Sequence, residues 1–135
     1  MAVFVSDSIR DNGLEHARQN ASRVILTVGQ PTTYANATTD HGSGSGQRAV
    51  EDTVAPGDFT LSSITGGRRV GLGLITGLTP EVNANGVNHW CWVDDVNNEI
   101  LAYADVNPAI DVTTSGTVNI QGHGVRLEAG VLHVE

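Results

Sequence analysis

The chain has 135 residues, 15 acidic and 7 basic side chains, and a net charge of −8. All seven basic residues are arginines, so no lysine-rich stripe is present to release counterions from phosphate, which argues against nucleic acid and anionic membranes as partners. The one cysteine, Cys91, excludes an internal disulfide, and no apolar run approaches the length of a bilayer span.

At this length one domain covering 1–135 is expected, burying roughly two-thirds of its unfolded surface without staples. With 16 glycines and frequent Thr, Asn and Ser, the composition is that of short strands joined by tight turns. Residues 1–5 form an apolar arm, a short strand or extended tail, lacking the basic start and the length of a signal peptide. Left exposed it would be a liability, so it should pack on the domain or on a neighbour. Residues 6–21 read as the one helix: Ser6 can cap, Asp7 and Asp11 suit the dipole, and Ile9, Leu14, Ala17 and Ala21 approximate one apolar stripe. Gly13 inside it costs about 1 kcal/mol against Ala and marks a bend.

Residues 24–28, Val-Ile-Leu-Thr-Val, are a continuous apolar run and the most buried strand expected. Residues 31–58 lack periodicity and contain the Gly/Ser piece 42–46, which reads as a long loop that orders on contact in an assembly. The β-rich core is expected over 59–135. Residues 59–64 are a strand, and in 68–74 Val70, Leu72 and Leu74 alternate inward against Gly71 and Gly73. Paired glycines on one strand face predict a bulge or a close backbone approach.

Residues 86–106 hold both tryptophans, one tyrosine and the cysteine, and read as a central β-hairpin turning at 94–98. Alternation puts Val87, His89, Cys91 and Val93 on one face and Asn88, Trp90 and Trp92 on the other. On the return strand Leu101 and Tyr103 oppose Ile100, Ala102 and Ala104. Large apolar groups on both faces place this hairpin centrally in a sandwich, or bury one face under a second subunit. Asn107-Pro108 punctuates. Residues 110–114 and 117–121 flank Ser115-Gly116 as a two-residue hairpin, and Val125, Leu127 and Val131 continue in a last strand. The sum is a mainly β chain: an antiparallel β-sandwich of seven or eight strands with one N-terminal α-helix.

No motif declares a chemistry. His89 and Cys91 share a strand face, as a nucleophilic dyad or the start of a zinc site requires, but free Cys is equally a small core hydrophobe. The 94–99 carboxylate and amide cluster suits calcium in its oxygens but lacks the glycine of an EF-hand loop, and Asp and Asn are ordinary turn residues. Gly71, Gly73 and Gly77 miss the dinucleotide spacing and lie within a strand pattern. His16, His41, His123 and His133 are scattered and read as surface residues. Trp90 and Trp92 suit a sugar-stacking platform, a subunit interface or the core, with interface or core favoured.

One set of pieces carries a resemblance. It comprises the helix ending in Arg18-Gln-Asn-Ala-Ser22; residues 24–28 leading into Pro31-Thr-Thr-Tyr-Ala-Asn-Ala37; Asp58-Phe-Thr60; Gly67-Arg-Arg-Val70; Gly86-Val-Asn-His-Trp-Cys-Trp-Val-Asp94; and the strand pair 113–118 and 125–127. In this order they resemble a group of small structural proteins of tailed bacteriophages, of about this length and encoded among head genes. The Gly/Ser piece 42–46 and the tryptophan-rich strand depart from that pattern. The resemblance implies a non-enzymatic capsid cement or decoration protein on the virion, assembled in the host cytoplasm. It would bind the major capsid protein lattice and itself, as a trimer, with no catalytic residue, cofactor or metal. The partner-interface residues it implies here are Val3, Phe4 and Val5 of the arm, Tyr34 of the loop, and Trp90, Trp92 and Tyr103 of the hairpin. A neck or tail component, or a carbohydrate-binding module using Trp90 and Trp92, is the alternative.

Overall fold

The computed structural model describes residues 4–5, 13–128 and 131–134. Eleven strands and two short α-helices are formed among the described residues: β1 (Phe4–Val5), α1 (Leu14–Asn20), β2 (Arg23–Val28), α2 (Tyr34–Ala37), β3 (Gln47–Thr53), β4 (Phe59–Ile64), β5 (Gly67–Leu72), β6 (Ile75–Leu78), β7 (Ala84–Asp94), β8 (Glu99–Val112), β9 (Val118–Ile120), β10 (His123–Glu128) and β11 (Val131–Val134). The protein is mainly β and antiparallel, as the sequence predicts, with more strands than the seven or eight expected. A five-stranded sheet runs β1-β8-β7-β2-β3, a four-stranded sheet runs β11-β10-β5-β4, and β6 pairs with β9.

The β7–β8 hairpin lies inside the larger sheet, with β2 on its other side. Both faces of that sheet are also covered, each by its own buried cluster, which explains the two-sided apolar pattern. On the inner face Trp90 and Trp92 meet the smaller sheet through Phe59, whose ring stands edge-on to Trp92 at 5.0 Å. On the outer face Ile25, Cys91, Val93, Ile100 and Tyr103 form a second cluster, capped by Tyr34 and Ala37 of α2. That cap comes from this chain's own 31–46 segment.

Two irregularities revise the facing expected for the hairpin. Trp92 pairs with Ala102 but Val93 with Ile100, so β8 carries one extra residue and Leu101 joins Ala102 and Ala104 in the main core while Ile100 joins Tyr103 outside. Val87 pairs with Ile110 but His89 with Asp105, two residues on β7 against five on β8. Residues 106–109 bulge out there and Val87 turns into the main core. Pro108 sits in this bulge, where its missing N–H breaks no ladder bond, so the strand runs on past the expected stop.

The expected loop over 31–58 is ordered structure instead. Residues 47–53 form β3, hidden in the sequence because the β2–β3 register shifts between Leu26 and Thr27 and leaves Ala49 and Val50 both buried. Thr33 caps α2 by accepting from the Asn36 amide at 3.0 Å. The Gly/Ser piece is tied down by the Gly46 amide donating to Val28 O at 2.6 Å and Asn36 Nδ2 donating to Ser45 O at 3.0 Å. Gly46 has φ 85°, and a Cβ there would meet Asn36, Gln30 and Pro31.

Other expectations shift less. The helix is formed over 14–20, packing Leu14 and Ala17 into the core, and residues 6–12 of its expected span lie outside the described residues. Leu74, expected inward, lies beyond the end of β5 and is 57% exposed. Ser115-Gly116 does turn the chain, with the Gly116 amide donating to Thr113 O at 3.1 Å. The flanking strands do not pair with each other, because β9 pairs with β6.

Candidate functional site

A cavity of about 350 Å³ lies at one end of the sandwich, walled by Leu26, Trp90, Val106, Pro108, Ile110 and Ile120. His123 lines it together with Asp105 and the amides Asn107, Asn119 and Gln121. The His123 ring packs on Trp90 at 4.3 Å between centroids. Trp92 Nε1–H has no acceptor role, so at 2.8 Å it donates to His123 Nε2. That fixes the tautomer: Nδ1 carries the proton and donates to Gln121 O at 2.8 Å. Burial pushes the His123 pKa down to about 4, opposed by the backbone bond to Gln121. Both nitrogens are committed and the ring is neutral near pH 7, so His123 is a core polar link. Alternation with Val125 and Leu127 along β10 turns His123 inward, which corrects its expected place on the surface.

The outer face holds His89 and Cys91. Cys91 is fully buried and its Sγ donates to Trp92 O at 3.9 Å. Burial pushes its thiol far above the usual cysteine range, the opposite of what a nucleophile needs. In the folded protein Cys91 should resist alkylation for hours and react stoichiometrically once denaturant is added; fast labelling of the native fold would contradict this burial. His89 Nδ1 lies 2.7 Å from Asn88 Oδ1, which also accepts from the Gly29 amide at 2.8 Å. Its Nε2 is 2.9 Å from Asp105 Oδ1 but outside hydrogen-bonding geometry. Burial lowers the His89 pKa and Asp105 pulls it the other way.

The turn at 94–99 is closed on itself. Asp94, almost fully buried, accepts from the Val96 and Asn97 amides at 2.9 and 3.1 Å and from Asn97 Nδ2 at 2.7 Å. Asp95 accepts from Arg23 Nη2 and from Tyr34 OH, each at 2.7 Å. These oxygens hold the hairpin tip instead of pointing at one ion. Burial opposes ionisation of Asp95, but the bonds from Arg23 and Tyr34 win and hold its carboxyl below the usual range. Arg23 also donates to Glu51 at 2.6 Å, and Glu51 is shared with Arg48, which reaches Asp40 at 2.7 Å. This network staples the 31–46 segment to the outer face of the larger sheet. Arg23→Ala should lower stability by about 2 kcal/mol, discounted for partial exposure. It should also speed amide exchange across residues 34–40 before the rest of the sheet; uniform exchange would refute the staple.

The expected partner-interface residues separate into two groups. Trp90 and Trp92 are 3% and 0% exposed and serve the core of this chain, which corrects their assignment as docking or sugar-stacking anchors. The reason is the crossing of the two sheets, which stacks Phe59 and His123 on the same face. Tyr103 is also buried, and Tyr34 is half-buried with its hydroxyl on Asp95. Phe4 remains available: it is 36% exposed and stacks on Tyr103 at 5.3 Å, on a two-residue strand paired to Ala102 and Tyr103. Val5 lies on the same strand and Val3 lies outside the described residues.

Among the described residues no cluster of three or more His, Cys, Asp or Glu side chains is set to hold a metal ion, and no helix is long and apolar enough to cross a membrane. In comparisons with known proteins, no family, no curated protein and no solved structure matches this chain.

Proposed function

We propose that this chain is a non-enzymatic structural protein of a phage virion, a cement or decoration protein that binds the assembled capsid lattice as a homo-oligomer. The observation that carries the reading is the apolar arm seated as β1 on the edge of β8, with Phe4 partly exposed over Tyr103. An arm of this kind can gain contacts on a neighbour without disturbing the core behind it. The sequence resemblance points the same way. So does the commitment of His123, Asp94 and Asp95 to internal hydrogen bonds, which leaves a stiff β-body. The acidic, lysine-free surface keeps crowded copies apart and away from DNA.

The mechanism is linkage. A protein that binds only the assembled lattice stabilises it by mass action, about 2.7 kcal/mol per site at a hundredfold excess over Kd. Quantitative mass spectrometry of purified virions tests the reading. A copy number near that of the shell protein supports it, a few copies per particle replaces it with a neck or tail role, and absence from the virion overturns it. A folded Phe4→Ser variant should co-sediment with capsids several-fold less than the parent.

A further inference from the structure

Gly71 on β5, one of the paired glycines at 71 and 73, points to a second surface. Inward alternation of Leu61, Val70, Val125 and Val134 into the core leaves the intervening rows of the four-stranded sheet on its outer face. One of those rows is basic. Arg69 lies opposite Ser62 on one side and Arg126 on the other, and Arg126 lies opposite His133. Like charges placed directly opposite on neighbouring strands oppose pairing, yet two of seven arginines sit so in a chain of net charge −8.

The backbone is shaped around this pair. Gly71 and Gly124 face each other in the adjacent row, and a Cβ on either would run into the Arg69 guanidinium that lies over them. Interior strand glycines weaken a sheet and mark close approach. Arg126 reaches Glu128 at 3.2 Å through Nη1, while its Nε is buried without a hydrogen-bond partner. Beside this row stands Val131, 55% exposed.

Elsewhere on the molecule the complement exists. Asp52 and Asp58 border a recess with Leu74, which is 57% exposed. The first patch thus sets Val131 beside two arginines and one glutamate, a net positive charge, and the second sets Leu74 beside two aspartates.

We propose that the outer face of the four-stranded sheet, through Arg69, Arg126 and Val131, docks the Asp52, Asp58 and Leu74 patch of a second copy. The contact is head-to-tail, so it builds a closed ring or an open chain rather than an isologous pair. The inference goes beyond the virion reading, because it concerns the free chain and fails or stands without any capsid.

The experiment is sedimentation velocity on the purified full chain at matched concentrations. The parent should associate near 0.15 M NaCl and dissociate towards 1 M, as the screening length falls from about 8 to 3 Å. Arg126→Glu with Val131→Ser should weaken association about tenfold or more, and so should Asp52→Arg with Leu74→Ser. An equimolar mixture of the two variants should form a dimer of one copy of each and grow no further. A monomeric parent, variants that still associate as the parent does, or a mixture that stays monomeric would each overturn the proposal. Thermal melts check folding, and the milder Arg126→Gln and Asp52→Asn replace any variant that does not fold.

Discussion

Trp92→Ala should remove most of the stability of this protein. Truncating a fully buried tryptophan costs about 3–5 kcal/mol through lost transfer energy and the cavity left behind. Here the indole also donates the hydrogen bond that fixes His123, and an orphaned buried acceptor adds about 1–3 kcal/mol. The sum approaches the 5–15 kcal/mol that holds an ordinary domain together. Urea denaturation followed by fluorescence should show the variant largely unfolded without denaturant. Trp92→Phe, which keeps much of the volume but loses the donor, should remain folded with about 2 kcal/mol lost. A loss below about 1 kcal/mol for the alanine variant would mean the indole sits on an adaptable surface instead of between two sheets. The same result governs any reading that exposes the tryptophans: a lost partner interaction in Trp90→Ala or Trp92→Ala would report unfolding first.

Acid should weaken the fold between pH 6.5 and about 4 through His123. Its pKa is about 4 in the folded protein against 6.5 for a free histidine, so the unfolded chain takes up the proton first. The contribution is complete above pH 6.5 and declines as pH falls towards 4. The gap corresponds to about 3 kcal/mol. His89 is also lowered by burial and adds slope of the same sign. Asp95 works in the same direction but lower, because its depressed carboxyl loses its contribution below the ordinary aspartate range. His123→Gln retains an acceptor for Trp92 without a titrating ring, so the difference between the parent and this variant isolates the His123 share. Equal pH slopes for the two proteins would show that His123 does not titrate with folding.

These expectations rest on contacts between segments far apart in the chain. Trp92 and His123 are 31 positions apart, and Arg23 and Asp95 are 72 apart. No local pattern announces such a pairing, which is why His123 read as a surface residue and the 94–99 carboxylates as a possible ion site. Register slips had the same effect on a smaller scale. A strict period of two predicts the faces of residues 89–93 correctly, but one extra residue at Leu101 and the bulge at 106–109 reverse the residues beyond.

By itself the sequence determined the class of this protein and its centre. Turn residues at short intervals, β-branched runs and the two-faced apolar hairpin pointed to an antiparallel sandwich with residues 86–106 central in it or covered on one face by a second subunit, because only a doubly covered strand places large apolar groups on both sides. It also showed the bare glycines of β5, whose meaning depends on what crosses them. Tertiary structure alone decided which cover each face received. The 31–46 segment, with little periodicity of its own, is held over the outer face by Tyr34 on Asp95 and Asp40 on Arg48, and both tryptophans went to the core instead of to a partner. Burial is a property of the assembled sheets, and a tryptophan's affinity for an apolar surface is the same whether that surface belongs to its own chain or to another.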